Sequence, residues 1–203
     1  MHSDLKDILL DISNEHLKKK MLRPIRGEPR MREYFRTIDE TPSNNINPTE
    51  DNYRNEMSVE RRADVGFASY TGVRRAVIVD CTTASPLNKE IKDYKPGEAA
   101  NRAVDRKIKD YRKYFHIDDS ASSRLWFFAV ETNGCLSKEA KDYCRMLAKT
   151  SKTPGALKNI YQRLSVGFQN AIARQIHKAA NYYTCVDRPL PPIAVAPIPA
   201  VLT

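Results

Sequence analysis

Residues 74–82, Arg-Arg-Ala-Val-Ile-Val-Asp-Cys-Thr, decide the fold of this chain of 203 residues. Their continuous run of apolar, mostly β-branched side chains is typical of a strand that is buried on both faces, as a central strand is. The run ends at Asp80, and residues 63–69, which also read as a strand, carry Asp64 near their start. Two carboxylates on neighbouring strands can bind one hard divalent cation, although an aspartate at a strand end can also simply begin a turn.

The rest of the chain supplies helices and strands around this pair. The predicted elements, in chain order, are a helix over 4–21, a short strand over 22–28, strands over 63–69 and 74–82, a helix over 98–115, a strand over 124–131, and helices over 137–149 and 156–180. A strand, a crossover helix and a second strand form a βαβ unit, so this order predicts an α/β domain with a mixed central sheet flanked by helices. We expect a single domain over 1–186 with a polar loop at about 36–58, followed by a Pro-rich tail over 187–203.

The balance of charge indicates an anionic partner. The chain has 34 Lys and Arg residues against 25 Asp and Glu residues, a net charge of +9. Nucleic acid is the first partner that such a charge suggests, and an acidic membrane surface is the second. No apolar stretch is long enough to cross a bilayer as a helix, so we expect no membrane partner. Four scattered cysteines without CxxC spacing predict reduced thiols and an intracellular, nuclear or cytosolic location.

The last two predicted helices are basic. No acidic residue occurs between Tyr143 and Val186, so their cations have no partner nearby in the sequence. Contact with phosphates is the natural use of such a surface, and a solvated basic face is the alternative. The candidates for nucleic-acid binding, which include two residues of the helix over 98–115, are Arg106, Lys109, Lys149, Lys152, Lys158, Arg163 and Arg174.

The order of elements, with Asp64 on the second strand and Asp80 at the end of the third, resembles the restriction-endonuclease-like fold of PD-(D/E)XK nucleases. The resemblance implies a helix-strand-strand-strand-helix-strand core, Mg²⁺ or Mn²⁺ bound by Asp64 and Asp80, and hydrolysis of DNA phosphodiesters. Ala63-Asp64 stands for the Pro-Asp of that family, and Asp80-Cys81-Thr82 stands for its (D/E)XK. Thr82 therefore occupies the lysine position, where it cannot supply a positive charge.

In some members of that superfamily the lysine comes from the following helix, which makes Lys107, Lys109 and Lys113 the candidates here. We expect Lys113, because the closer relatives described next also carry a lysine followed by Tyr-Phe near the end of that helix. Glu131, at the end of the fourth strand, is a further catalytic candidate, either as a third acid or as a residue that positions the helix lysine. The departure at Thr82 leaves open whether the chain is catalytic.

A closer resemblance covers most of the chain. Residues 63–65, Ala-Asp-Val, and residues 76–87, Ala-Val-Ile-Val-Asp-Cys-Thr-Thr-Ala-Ser-Pro-Leu, look like a stretch of the domains at the C-terminal end of retrotransposon reverse-transcriptase polyproteins. Similar blocks occur in residues 129–135, 160–164 and 170–174. This resemblance implies nicking of target DNA for a retroelement, with the rest of the polyprotein as a partner, and a chain that is a fragment or a remnant of a longer protein.

Two other functions are compatible with the sequence. A catalytically inactive nucleic-acid-binding or assembly module on the same fold is the main alternative, because of Thr82. A protein-interaction scaffold that docks through its Pro-rich tail is another.

Overall fold

The structure, a computed structural model, describes residues 2–17, 22–37, 61–69, 76–87, 94–118 and 123–185. Most of the polar loop expected at 36–58 and the whole tail expected over 187–203 lie outside these residues. The helices are α1 (His2–Leu17), α2 (Glu98–Tyr111), α3 (Lys138–Ser151) and α4 (Ala156–Cys185), and the strands are β1 (Leu22–Pro24), β2 (Val65–Ser69), β3 (Ala76–Ala84) and β4 (Ser123–Glu131).

The four strands form one mixed sheet in the order β1-β2-β3-β4. β1 and β2 are antiparallel, as are β2 and β3, whereas β3 and β4 are parallel. α2 lies between the parallel strands in the chain, because parallel neighbours need a crossover connection and cannot be joined by a tight turn. The prediction of an α/β domain with a mixed sheet is confirmed, and β3 is an interior strand, as its apolar run predicts.

Both faces of this sheet are covered by helices. On one face, Val79 and Cys81 pack in a core with side chains of α1, α3 and α4, among which Tyr143 is fully buried. On the other face, Ile78 lies in a core with Val104 of α2. Because side chains alternate along a strand, Asp80 projects toward α2, away from the first core.

α1 and α4 pack closely. A Cβ atom added at Gly167 of α4 would lie 2.6 Å from Cδ1 of Ile8 on α1, so any other residue at this crossing would require the Ile8 side chain to move. No helix in the part of the chain that the structure describes is both long enough and apolar enough to cross a membrane.

Candidate active site

Asp64 and Asp80 meet at the β2–β3 pair. Asp64 directly precedes β2, and its amide donates to the carbonyl oxygen of Val79 at 3.1 Å, which holds Asp64 against β3. Oδ2 of Asp64 accepts a hydrogen bond from the amide of Cys81 at 2.6 Å. The two carboxyl groups lie close enough for each to shift the pKa of the other. The structure therefore brings Asp64 and Asp80 together, as the sequence predicts from their positions on neighbouring strands.

Lys107 supplies a positive charge beside this pair. Its Nζ atom donates to Oδ2 of Asp80 at 2.7 Å. The Asp80 side chain is only 5% exposed, but that of Lys107 is 32% exposed, so the pair lies at the boundary between core and solvent. The charge that Thr82 cannot provide from the strand thus reaches Asp80 from α2.

Lys113, the lysine expected at the site, lies elsewhere. Its Nζ atom pairs with Asp110 at 3.3 Å, and its side chain is 60% exposed. Lys107 shares one face of α2 with Val104 and Tyr111, which are both buried against the sheet. Lys113 follows the end of α2, and a position six residues after Lys107 is rotated by about 240° around a helix, so it points away from that face. Lys107 therefore replaces Lys113 as the candidate lysine.

The surroundings separate the pKa values of the two aspartates. Burial raises the pKa of Asp80 to about 6, against the lowering effect of Lys107, and the negative charge of Asp64 adds to the rise. Burial also acts to raise the pKa of Asp64, but the hydrogen bond from Cys81 and the contacts with Asp80 and His2 lower it below its ordinary value. Nε2 of His2 lies 3.0 Å from Oδ1 of Asp64. Both carboxyl groups are therefore largely ionised at neutral pH, and Asp80 is the later of the two to lose its proton.

Tyr111 closes the buried side of the site. Its hydroxyl group lies 3.4 Å from the carbonyl oxygen of Arg62 and also contacts the Asp80 carboxylate. Its ring packs edge-on against Phe127, at 5.3 Å between ring centroids. Burial, and then the charge of Asp80, raise the pKa of Tyr111 far above its ordinary value, so the group stays a hydroxyl, and its one proton is donated to the carbonyl oxygen of Arg62.

Glu131 binds the beginning of α2 and does not join the aspartates. It lies four residues beyond the level of Asp80 in the β3–β4 register. Its Oε1 accepts from the amides of Ala99 and Ala100 at 2.9 and 3.4 Å, and its Oε2 accepts from the Tyr94 hydroxyl at 2.6 Å. Burial acts to raise the pKa of Glu131, but these hydrogen bonds lower it below its ordinary value. Of the two predicted roles, these contacts fit the positioning of the lysine helix.

Replacing Glu131 should weaken the attachment of α2. Glu131→Ala removes a buried carboxylate that satisfies the unpaired amides of a helix N-terminus, and we expect the free energy of unfolding to fall by about 2–3 kcal/mol. Urea unfolding measures this change. Glu98→Ala is the matched control, because Glu98 begins the same helix but makes only an exposed pair with Arg102, and it should change stability by about 0.5 kcal/mol or less. Equal effects of the two substitutions would contradict the anchoring role of Glu131.

The raised pKa of Asp80 predicts a cost to stability. The folded protein holds the Asp80 proton up to about pH 6, whereas the unfolded chain releases it near the ordinary value of 3.8. The stability of the parent should therefore fall as pH rises from about 4 to 6, and Asp80→Asn should remove this dependence. We expect Asp80→Asn to be more stable than the parent at pH 8, by at most about 3 kcal/mol, and equally stable at pH 4. Thermal unfolding at both pH values tests this, and a variant less stable at pH 8 would show that Asp80 stabilises the fold.

The cations predicted to bind nucleic acid do not form one surface. Arg163 pairs with Asp11 and Glu15, and Arg174 pairs with Asp4. These acids all belong to α1, which supplies the partners that α4 lacks in its own sequence. The expectation of an uncompensated basic stretch is therefore wrong at these two arginines.

The remaining candidates lie on different sides of the molecule. Lys149 and Lys152 line an open groove of about 870 Å³ at the end of α3, on the face of the sheet opposite α2. Lys109 and Lys158 are exposed. Arg106 lines a different groove, which also includes Lys107. Among the predicted contacts, Arg106 is thus the one that shares a groove with the candidate lysine.

The donor atoms at Asp64 and Asp80 fit a hard divalent cation. Within the described ranges, no group of three or more His, Cys, Asp or Glu side chains is arranged to bind a metal ion. Mg²⁺ does not require such a group, because proteins bind it through one or two carboxylates together with water and substrate phosphates. Two ionised carboxyl groups close together, one with a raised pKa, form a local excess of negative charge that a cation would relieve.

Neither a comparison with models of known protein families nor a comparison with curated protein sequences finds a match for this chain. A functional proposal therefore depends on the geometry and chemistry of the site.

Proposed function

We propose that this chain is a metal-dependent endonuclease domain that hydrolyses DNA phosphodiesters. The observation that carries the proposal is the position of Asp64, which is hydrogen-bonded to Val79 and Cys81 on either side of Asp80, with the Lys107 ammonium 2.7 Å from the Asp80 carboxylate. Like charges held together in a partly buried place, with a perturbed pKa, are more common at functional sites than in structural positions. A lysine beside two acids also provides the set of groups that phosphodiester hydrolysis requires.

The proposal extends to the fold family and the biological setting. We propose a restriction-endonuclease-like fold and a domain that nicks target DNA for a retroelement, as part of or beside its polyprotein, in the nucleus. Support comes from the order α1, three strands, α2 and β4, with Asp64 directly before β2 and Asp80 within β3. The net charge of +9 suits a nucleic-acid partner, and the free thiols of Cys81, Cys135 and Cys144 suit a reducing compartment.

Each residue of the site has a role in this chemistry. Asp64 and Asp80 would hold Mg²⁺ or Mn²⁺, which when bound offsets charge on the phosphate and lowers the pKa of a water ligand. The Cys81 amide orients the Asp64 carboxylate, and the Lys107 ammonium orients that of Asp80. Lys107 can position the attacking water or stabilise the charge that develops on the phosphate oxygens. Glu131 holds α2, and thereby Lys107, at the sheet.

A second function has specific support. Thr82 occupies the lysine position, and the pairing of Lys107 with Asp80 neutralises one carboxylate without a metal ion. Both features suit a nucleic-acid-binding or assembly module that has lost catalysis. Such a module would bind DNA in a strongly salt-dependent manner, and neither EDTA nor substitution of the aspartates would weaken its binding.

Nicking of a supercoiled plasmid separates the two functions. An endonuclease should convert the plasmid into open circles in Mg²⁺ or Mn²⁺, and EDTA should stop the reaction. Protein that binds DNA but cuts neither the plasmid nor a gapped or flapped duplex with either metal would overturn the proposed activity in favour of the inactive module.

A further inference from the structure

A groove continues from the candidate active site. It has a volume of about 840 Å³ and lies between the end of β3 and the flank of α2. Thr82 and Ser85 line its strand side, and Arg102 and Arg106 line its helix side. Lys107 lines the groove and also contacts Asp80, so the groove opens next to the aspartate pair.

The two arginines suit the phosphates of one nucleic-acid strand. They are separated by one helical turn, about 6 Å along the axis of α2, which is comparable with the distance between neighbouring phosphates of an extended strand. Arg102 also pairs with Glu98, and this pair is exposed and of the kind that contributes little to stability. The hydroxyl groups of Thr82 and Ser85 can donate to phosphate oxygens from the other side.

The character of the edge of the groove favours an unpaired strand. A duplex would present only phosphates and sugars to this edge, because its bases are stacked inside. Leu87, which also lines the groove, is 89% exposed and offers apolar surface to a base or a sugar. Bases can use such a surface only where they are not stacked inside a duplex.

We propose that this groove binds an unpaired segment of the DNA strand next to the phosphodiester that is cut, with phosphates of that segment on Arg102 and Arg106. The inference rests on the proposed function, because the aspartate pair defines the position of cleavage. It predicts that the preferred substrate carries a single-stranded flank, such as a flap or a gap, and is not a continuous duplex.

Binding without a metal tests the groove separately from cleavage. Fluorescence anisotropy in EDTA would compare a labelled single-stranded oligonucleotide with the duplex of the same sequence. The double variant Arg102→Gln/Arg106→Gln should bind the single strand at least about tenfold more weakly, and the slope of log K against log salt should fall by about 1.4 for two lost phosphate contacts. Its affinity for the duplex should change by less than about threefold, since we expect only an unpaired strand to occupy the groove.

Two controls separate the groove from the general positive charge. Lys141→Gln/Lys178→Gln removes the same charge from α3 and α4, which cover the other face of the sheet, and it should leave single-strand binding unchanged. Asp105 also lines the groove, and Asp105→Asn should tighten single-strand binding because it removes a repulsive charge. If the lysine variant binds the single strand as weakly as the arginine variant does, or if the arginine variant loses duplex and single-strand affinity equally, the proposal is overturned.

Nicking assays distinguish failure of this inference from failure of the proposed function. A parent protein that never nicks, together with an arginine variant that loses single-strand binding, would leave the groove assignment intact and overturn the nuclease. Aspartate-dependent nicking, together with an arginine variant that binds and cuts flanked substrates as the parent does, would leave the nuclease intact and overturn the groove.

Discussion

Asp64→Asn and Asp80→Asn should each reduce Mg²⁺-dependent nicking by at least about a thousandfold, which corresponds to several kcal/mol of lost transition-state stabilisation. Both substitutions keep the shape of the side chain but remove the charge that would hold the cation. In Asp64→Asn the side-chain oxygen can still accept the hydrogen bond from the Cys81 amide, and in Asp80→Asn it can still accept the bond from Lys107. The fold should therefore be retained. The measurement is the single-turnover rate of plasmid nicking in Mg²⁺.

DNA binding in EDTA provides the control for these variants. Loss of a negative charge beside the DNA should leave affinity unchanged or raise it, so a fall in nicking with intact binding assigns the aspartates to the chemical step. Asp142→Asn is a matched surface substitution, because Asp142 pairs with Arg145 on α3, on the other face of the sheet, and it should nick as the parent does. Aspartate variants that cut at the parental rate would refute the nuclease.

Lys107→Ala should reduce the nicking rate by about a hundredfold to a thousandfold, which is the usual effect of removing a group that positions a nucleophile or stabilises transition-state charge. Lys113→Ala should change the rate by less than about twofold, because Lys113 is exposed and pairs with Asp110. Single-turnover nicking by the two variants, side by side with the parent, measures this difference.

The pH dependence of nicking shows whether Lys107 acts at Asp80 or only binds a phosphate away from the site of cleavage. Lys107 acts to lower the pKa of Asp80, which burial raises to about 6. The residual activity of Lys107→Ala should therefore require a higher pH than that of the parent, because Asp80 keeps its proton longer without the neighbouring ammonium. A larger loss in Lys113→Ala than in Lys107→Ala would return the role to the lysine favoured by resemblance.

The meeting of the two aspartates could be predicted from sequence because it depends on local patterns. A continuous β-branched run marks an interior strand, and a short preceding strand pairs with it, so their acids reach neighbouring positions of one sheet. The same patterns predicted the parallel pairing of β3 and β4 through a basic helix. Glu131 was also identified by its position at a strand end, but its contact with the N-terminus of α2 required the register of β3 with β4.

The helical spacing of residues in α2 already indicated Lys107 as the lysine of the site, although the resemblance favoured Lys113. Val104, Lys107 and Tyr111 recur at helical spacing, so Lys107 occupies the stripe of α2 that faces the sheet. Lys109 lies two residues on, about 200° around the helix, and is exposed. Periodicity therefore favoured Lys107, whereas the lysine before Tyr-Phe favoured Lys113.

The sequence by itself determined the class of fold, the pairing of the central strands and the adjacency of Asp64 and Asp80, because strand and helix periodicities and short connections are local properties. Only the tertiary structure decided which charges face one another. Arg163 meets Asp11 and Glu15 because α1 packs against α4, from the opposite end of the chain. Arg106 meets a groove because α2 lies beside the end of β3. Such contacts depend on how distant elements pack, and electrostatic energy depends on distance in space, so no pattern within one segment could reveal them.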